Sequence, residues 1–157
     1  MSTDETVRVS AWAAELRAVH VRLRDALHAT RSALAAGTED PSEPTRDLLL
    51  YCHGFCLALD GHHRAEDRAL FPAIEAAHPD LAPTLRALEQ DHSMIAHLLG
   101  GLRAAVEGGE GAAVLRDHID GVAAIMESHF RYEEKALLTV LETLALDASR
   151  EASLGPL

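Results

Sequence analysis

The chain has 157 residues, 48% of them hydrophobic, and a formal net charge of -11 from 25 acidic and 14 basic residues. That length suits one domain with a core of its own, and the acidic balance argues against nucleic acid as a partner. A mean hydropathy of -0.01 and the absence of a long apolar run argue against a membrane span. The polar start from Met1 to Val9 does not read as a secretory leader, so a cytoplasmic location is expected.

Four helical stretches are predicted in chain order, with no alternating run of the kind strands need. The first runs from about Glu5 to Ala36, with Val9, Trp12, Leu16, Val19, Leu23, Leu27 and Leu34 at the three- and four-residue spacing of a helix burying one face. Gly37 ends it, and Asp40-Pro41-Ser42-Glu43-Pro44 reads as a turn. The second helix begins near Pro44. Its stripe of Leu48, Cys52, Phe55 and Leu59 continues into His62 and Glu66. Pro72 should bend this helix late in its course, and His78-Pro79-Asp80 should end it.

The third helix is expected from Asp80, as N-cap, with Pro83 in its first turn. Its stripe is Leu85, Leu88, His92, Ile95, Leu99 and Leu102. After Glu107-Gly108-Gly109-Glu110-Gly111, the fourth helix is expected to reach about Leu146 through Leu115, Ile119, Val122, Ile125, Met126, His129, Glu133, Leu137 and Leu141. The tail beyond Asp147 shows no pattern and is expected to be loose. Short links between long helices imply a single all-α domain over residues 1–157, an antiparallel up-down-up-down four-helix bundle with its core at about 5–146.

Each predicted helix carries a histidine within its apolar stripe: His20, His62, His92 and His129. Two begin an HxxxE pair, His62 with Glu66 and His129 with Glu133, and residues four apart share a helix face. At 1.5 Å per residue, His20 lies ~24 Å before the first turn and His62 ~27 Å after it. Glu66 lies ~17 Å before the second turn and His92 ~18 Å after it. His92 lies ~23 Å before the third turn and His129 ~27 Å after it. In an antiparallel bundle these residues therefore fall in one layer.

Buried imidazoles and carboxylates without partners are costly, so such a layer needs a metal or a closed hydrogen-bond network. Imidazole and carboxylate without thiolate suit iron, manganese or zinc. Cys52 and Cys56, four apart with no second ligand pair, read as buried reduced thiols. Tyr132 is a candidate neighbour of the ligands, and Phe71 and Phe130 are candidates for walling the layer from water. His28, His53, His78 and His118 read as surface or helix-end residues, and His97 points away from His92.

The chain resembles the hemerythrin-like, or HHE cation-binding, family of bacterial domains. The resemblance rests on Leu16-Arg17-Ala18-Val19-His20, His62-His63-Arg64-Ala65-Glu66-Asp67 with Leu70-Phe71-Pro72, Asp91-His92, and His129-Phe130-Arg131-Tyr132-Glu133-Glu134. It spans residues 10 to 145. It implies two iron ions joined by an oxo or hydroxo bridge, His20 and His62 on one, His92 and His129 on the other, and Glu66 and Glu133 bridging. Oxygen carriers of the family use a fifth histidine one turn from that on the third helix. Here those positions hold Ala96 and Leu88. The departure argues against reversible oxygen carriage and for an open position that reacts with peroxide, nitric oxide or oxygen.

Two residues are candidate substitutes for the missing ligand. His63 lies about a quarter turn round the helix from His62, and Glu89 one turn before His92. The expected ligand set is thus His20, His62, Glu66, His92, His129 and Glu133, with His63 and Glu89 as additions. Binding or reduction of a small oxidant (oxygen, hydrogen peroxide or nitric oxide) is one reading. An iron, oxygen or redox sensor, or an iron-binding module without turnover, is a second. A metal-free helical interaction protein is a third. Composition and spacing leave the oligomeric state open.

Overall fold

A computed structural model describes residues 3–35, 46–146 and 148–156, with side chains described at 12–35, 50–146 and 148–156. All regular structure among the described residues is helical: α1 (Thr3–Ala35), α2 (Arg46–Ala65), a π-helical turn (Glu66–Leu70), α3 (Phe71–Ala77), a 3-10 turn (Pro79–Leu81), α4 (Ala82–Glu107), α5 (Ala112–Leu141) and α6 (Arg150–Leu154). The long helices pack as a ring of neighbours, α1 on α2, α2 on α4, α4 on α5 and α5 on α1. The first turn, with Gly37 and Asp40 to Pro44, and the side chains of Val9 and Leu48 lie outside the described residues. None of the described helices is long and apolar enough to cross a membrane.

The stripes named above form the core. Trp12, Leu16, Val19, Leu23, Leu27 and Leu34 of α1 are buried, as are Leu85, Leu88, Ile95, Leu99 and Leu102 of α4 and Leu115, Ile119, Val122, Met126, Leu137 and Leu141 of α5. Each fully buried Leu or Ile contributes ~1.5–3 kcal/mol, which sustains a polar layer at the centre. Thr30 falls on the α1 stripe and is buried; its hydroxyl donates to the Ala26 carbonyl at 2.9 Å, so it adds no unsatisfied group to the core.

Four features differ from the sequence expectation. The strain of Pro72 is taken up before it, in the π-helical turn, where the Phe71 amide donates to the Glu66 carbonyl. A proline ring crowds the carbonyl four residues back, here that of Arg68, and a wider turn relieves the clash. Asp80 does not cap α4. It sits in the 3-10 turn, and the N-cap position falls to Leu81, whose side chain makes no capping bond.

α5 stops at Leu141 rather than near Leu146. The chain still packs beyond it, with Leu144 buried and Trp12 Nε1 donating to the Leu146 carbonyl at 3.3 Å. The tail is not loose. Ser149 caps α6 by accepting from the Ala152 amide at 3.1 Å, and Ser153 and Leu154 are wholly buried. Between α4 and α5, Gly109 turns the chain at φ 69°, a conformation that suits glycine.

Candidate metal centre

Each long helix delivers polar side chains into the core. His20 comes from α1, His62 and His63 from α2, Glu66 from the π-helical turn, His92 from α4, and His129 and Glu133 from α5. All seven are at most 4% exposed. They form two groups whose ligand atoms lie within 4.8 Å of one another: His20, His62 and Glu133, and His63, Glu66, His92 and His129.

Glu133 reaches both groups, 3.4 Å from His20 Nε2 and 3.0 Å from His129 Nε2. Glu66 also reaches both, 3.2 Å from His62 Nε2 and 3.5 Å from His92 Nε2. His92 and His129 bring their Nε2 atoms to 3.0 Å, a hydrogen-bond contact in which one ring nitrogen donates to the other.

The outer ring nitrogens explain the inner ones. His20 Nδ1 donates to Glu134 at 2.9 Å, His92 Nδ1 to Asp67 at 2.7 Å and His129 Nδ1 to Asp91 at 3.1 Å. His62 Nδ1 donates to the Leu154 main-chain carbonyl at 2.7 Å. Carboxylates and carbonyls only accept, so each Nδ1 carries a proton and each Nε2 faces inward, where a neutral ring offers its lone pair. Phe130 stacks on His20 with centroids 3.9 Å apart, and Phe71 on His92 at 5.4 Å. Both phenyl groups are buried and wall the layer, as expected.

Without a cation this layer is incomplete. The Nε2 atoms of His20, His62 and His63 and all four carboxylate oxygens of Glu66 and Glu133 are buried with no hydrogen-bond partner. Burial and the facing Glu133 carboxylate push Glu66 well above the usual carboxylate range. Burial would raise Glu133 too, but the adjoining side chains of Glu66, His129, His20 and His92 hold it well below that range. Of the two buried carboxyls, Glu66 is thus held in the neutral form beside an ionised Glu133, where a cation would let both ionise. Burial also lowers His62 to about 3 and His63 well below its ordinary value, which keeps both rings neutral and ready to ligate. At His92 burial is outweighed by Asp67 and Glu133, and the ring rises to about 9.

The six ligands expected first all fall in the two groups, and so does His63. α2 buries a face wide enough for adjacent pairs: Phe55 with Cys56, then His62 with His63. Glu89 is in neither group. Its carboxylate faces outward to Arg86 at 2.8 and 3.0 Å. Tyr132 is 42% exposed and borders solvent, not the ligands. The sequence reading gave no role to Asp67, Asp91, Glu134 or Leu154. The three acids were in plain view, each next to a ligand in the chain. A backbone carbonyl has no letter and left no signal. Cys52 and Cys56 are buried free thiols beside a half-open cleft of about 210 Å³ with Arg103, and burial lifts Cys52 to about 11.

No curated protein and no solved structure matches the chain. Residues 13–141 match the model of the Hemerythrin HHE cation binding domain. That stretch holds all seven converging side chains and covers most of the sequence. The chain belongs to the hemerythrin HHE cation-binding domain family, and its buried histidines and glutamates form two groups able to hold metal ions.

Proposed function

We propose that the chain is a non-haem diiron protein that binds or reduces a small oxidant: oxygen, hydrogen peroxide or nitric oxide. One observation carries the reading, the convergence of seven buried, unpartnered nitrogen and oxygen atoms from histidine and glutamate. That donor set suits iron without excluding manganese or zinc. His20 and His62 would hold one ion, His63, His92 and His129 the other, with Glu66 and Glu133 between them. His63 then supplies from α2 the nitrogen that Ala96 does not supply from α4. An iron pair bound there would supply Lewis acidity and electrons to the oxidant. An antiparallel course of the four long helices fits the short link between α4 and α5.

The protein's own part is access and exclusion. A cleft of about 150 Å³, lined by Asp60, His63, Arg64, Asp67, His92, Ser93 and Ala96, opens beside the second group. Organic ligands usually need ~300–1,000 Å³, so this volume favours diatomic molecules and peroxide. Phe71 and Phe130 keep bulk water from the inner rings.

The test begins with untagged protein, its metal content and its visible spectrum, followed by anaerobic reduction and addition of peroxide or nitric oxide. About two irons per chain, lost when His62 is replaced by Ala, is the expected result. No bound metal after anaerobic ferrous loading would overturn the reading. Two irons without turnover of either oxidant would favour a sensor or an iron-binding module.

A further inference from the structure

His62 is the one inner histidine whose outer nitrogen is held by the main chain. The acceptor is the carbonyl of Leu154, 92 residues on and buried. Its approach depends on two facing glycines. Gly155 has φ 91° and ψ -172°, a region open essentially to glycine alone. A Cβ there would stand 2.9 Å from both the Cα and the amide nitrogen of His62. Opposite it, a Cβ on Gly61 would meet the ring of Pro156 at 3.2 Å. The segment is fixed at its other end by the Ser149 cap and by Arg150, 3.6 Å from Glu15 of α1.

We propose that residues 149–156 are a latch that positions His62. By accepting the Nδ1 proton, the Leu154 carbonyl sets both the tautomer and the ring angle of this ligand. The ion of the His20, His62 and Glu133 group therefore depends on the C-terminal segment. The ion of the His63, Glu66, His92 and His129 group does not, because two of its rings, His92 and His129, lean on Asp67 and Asp91. The inference rests on the two-ion reading above, and adds that one of the two ions is under the control of a segment outside the bundle. Leu154 is a positioning residue through its backbone. No side-chain substitution removes its carbonyl, so the glycines that admit it are the place to intervene.

The experiment compares full-length wild-type protein with Gly155→Ala, Gly61→Ala, Asp91→Asn and His20→Ala. Each is titrated anaerobically with cobalt(II) and followed by visible absorption and equilibrium dialysis, with helicity checked by circular dichroism. His20→Ala identifies the signal of its own group. Gly155→Ala is expected to weaken that group's ion by ~10–100-fold, as loss of an outer hydrogen bond to a ligand does, and to leave the other ion in place. Asp91→Asn should do the reverse. Gly61→Ala should weaken the first ion only a few-fold, although alanine is the better helix former and a purely structural role would predict no loss. In metal-free protein, nitrogen NMR should find His62 as the Nδ1–H tautomer in wild type and a mixture in Gly155→Ala.

Equal weakening of both ions in Gly155→Ala, or no weakening of either, would overturn the latch. If wild-type protein binds no cobalt, the two-ion reading fails first. The NMR comparison then decides the latch by itself, an unchanged tautomer in Gly155→Ala refuting it.

Discussion

His20 on α1 and His92 on α4 both turn Nε2 toward Glu133 and both donate from Nδ1 to a carboxylate, but their surroundings differ. His20 lies flat against Phe130, the two rings 7° from parallel. Its companion His62 is held by a buried carbonyl. His92 lies against His63, with centroids 4.0 Å apart, and both line the cleft beside Ala96. Its partner Asp67 is 38% exposed. One half of the layer is therefore sealed by aromatic packing and main chain, the other bordered by solvent and half-exposed acids. Nearly the same donor atoms can thus make one fixed position and one approachable one, the arrangement that the proposed function requires.

The strongest way to break this comparison is to remove what the halves share. Glu133 touches a histidine of each group, so Glu133→Ala is expected to lower affinity for both ions by on the order of 100-fold or more, beyond the usual cost of an outer partner. Metal content and the rise in melting temperature on metal addition would report it. Loss of only one ion would show that the carboxylate serves one half alone.

A smaller perturbation should separate the halves. Asp67→Asn removes the charged acceptor of His92 and is expected to weaken the cleft-side ion by ~10–100-fold. Glu134→Gln does the same for His20, and so for the sealed ion. If either variant weakens both ions alike, the halves are not independent. Glu134 also takes Arg24 at 3.6 Å, so its variant should lower stability slightly more. That ion pair is partly exposed and weak.

How far these residues were legible follows the same division. Periodicity found the layer, because His20, His62, His92 and His129 interrupt apolar stripes whose spacing is strict. It located α4 and most of α5, since both bury a regular face. His63 was left open because adjacent helix positions seldom share a face; the wide buried face of α2 resolves this, and Phe55-Cys56 was the hint. Glu89 had the right spacing from His92 and the wrong direction, with Arg86 three residues before it as the competing partner. α6 left no trace because five residues with one large apolar anchor, Leu154, carry no period. Its contribution is a carbonyl, which every residue has. What side chains do repeatedly can be read from a sequence, and what the backbone does once cannot.

The gentlest test is pH acting on the metal-free protein, where His62 and His92 should respond in opposite senses. His62, at about 3 in the fold against ~6.5 unfolded, is folded as the neutral ring. Its contribution to stability is present above ~6.5 and is lost as pH falls from there toward about 3. His92, raised to about 9, is folded as the cation. Its contribution is complete below ~6.5 and is lost as pH rises through about 9. Denaturant unfolding of metal-free protein across this range should therefore give a curve that falls on both sides of neutrality. Each ring accounts for a few kcal/mol at most. His62→Gln keeps a donor for Leu154 but cannot titrate, and it should lessen the fall on the acid side alone, to which His63, also lowered by burial, still contributes. His92→Gln should flatten the alkaline side alone. If both variants change the same side, the two rings share one titration and the contrast between His62 and His92 does not extend to their protons.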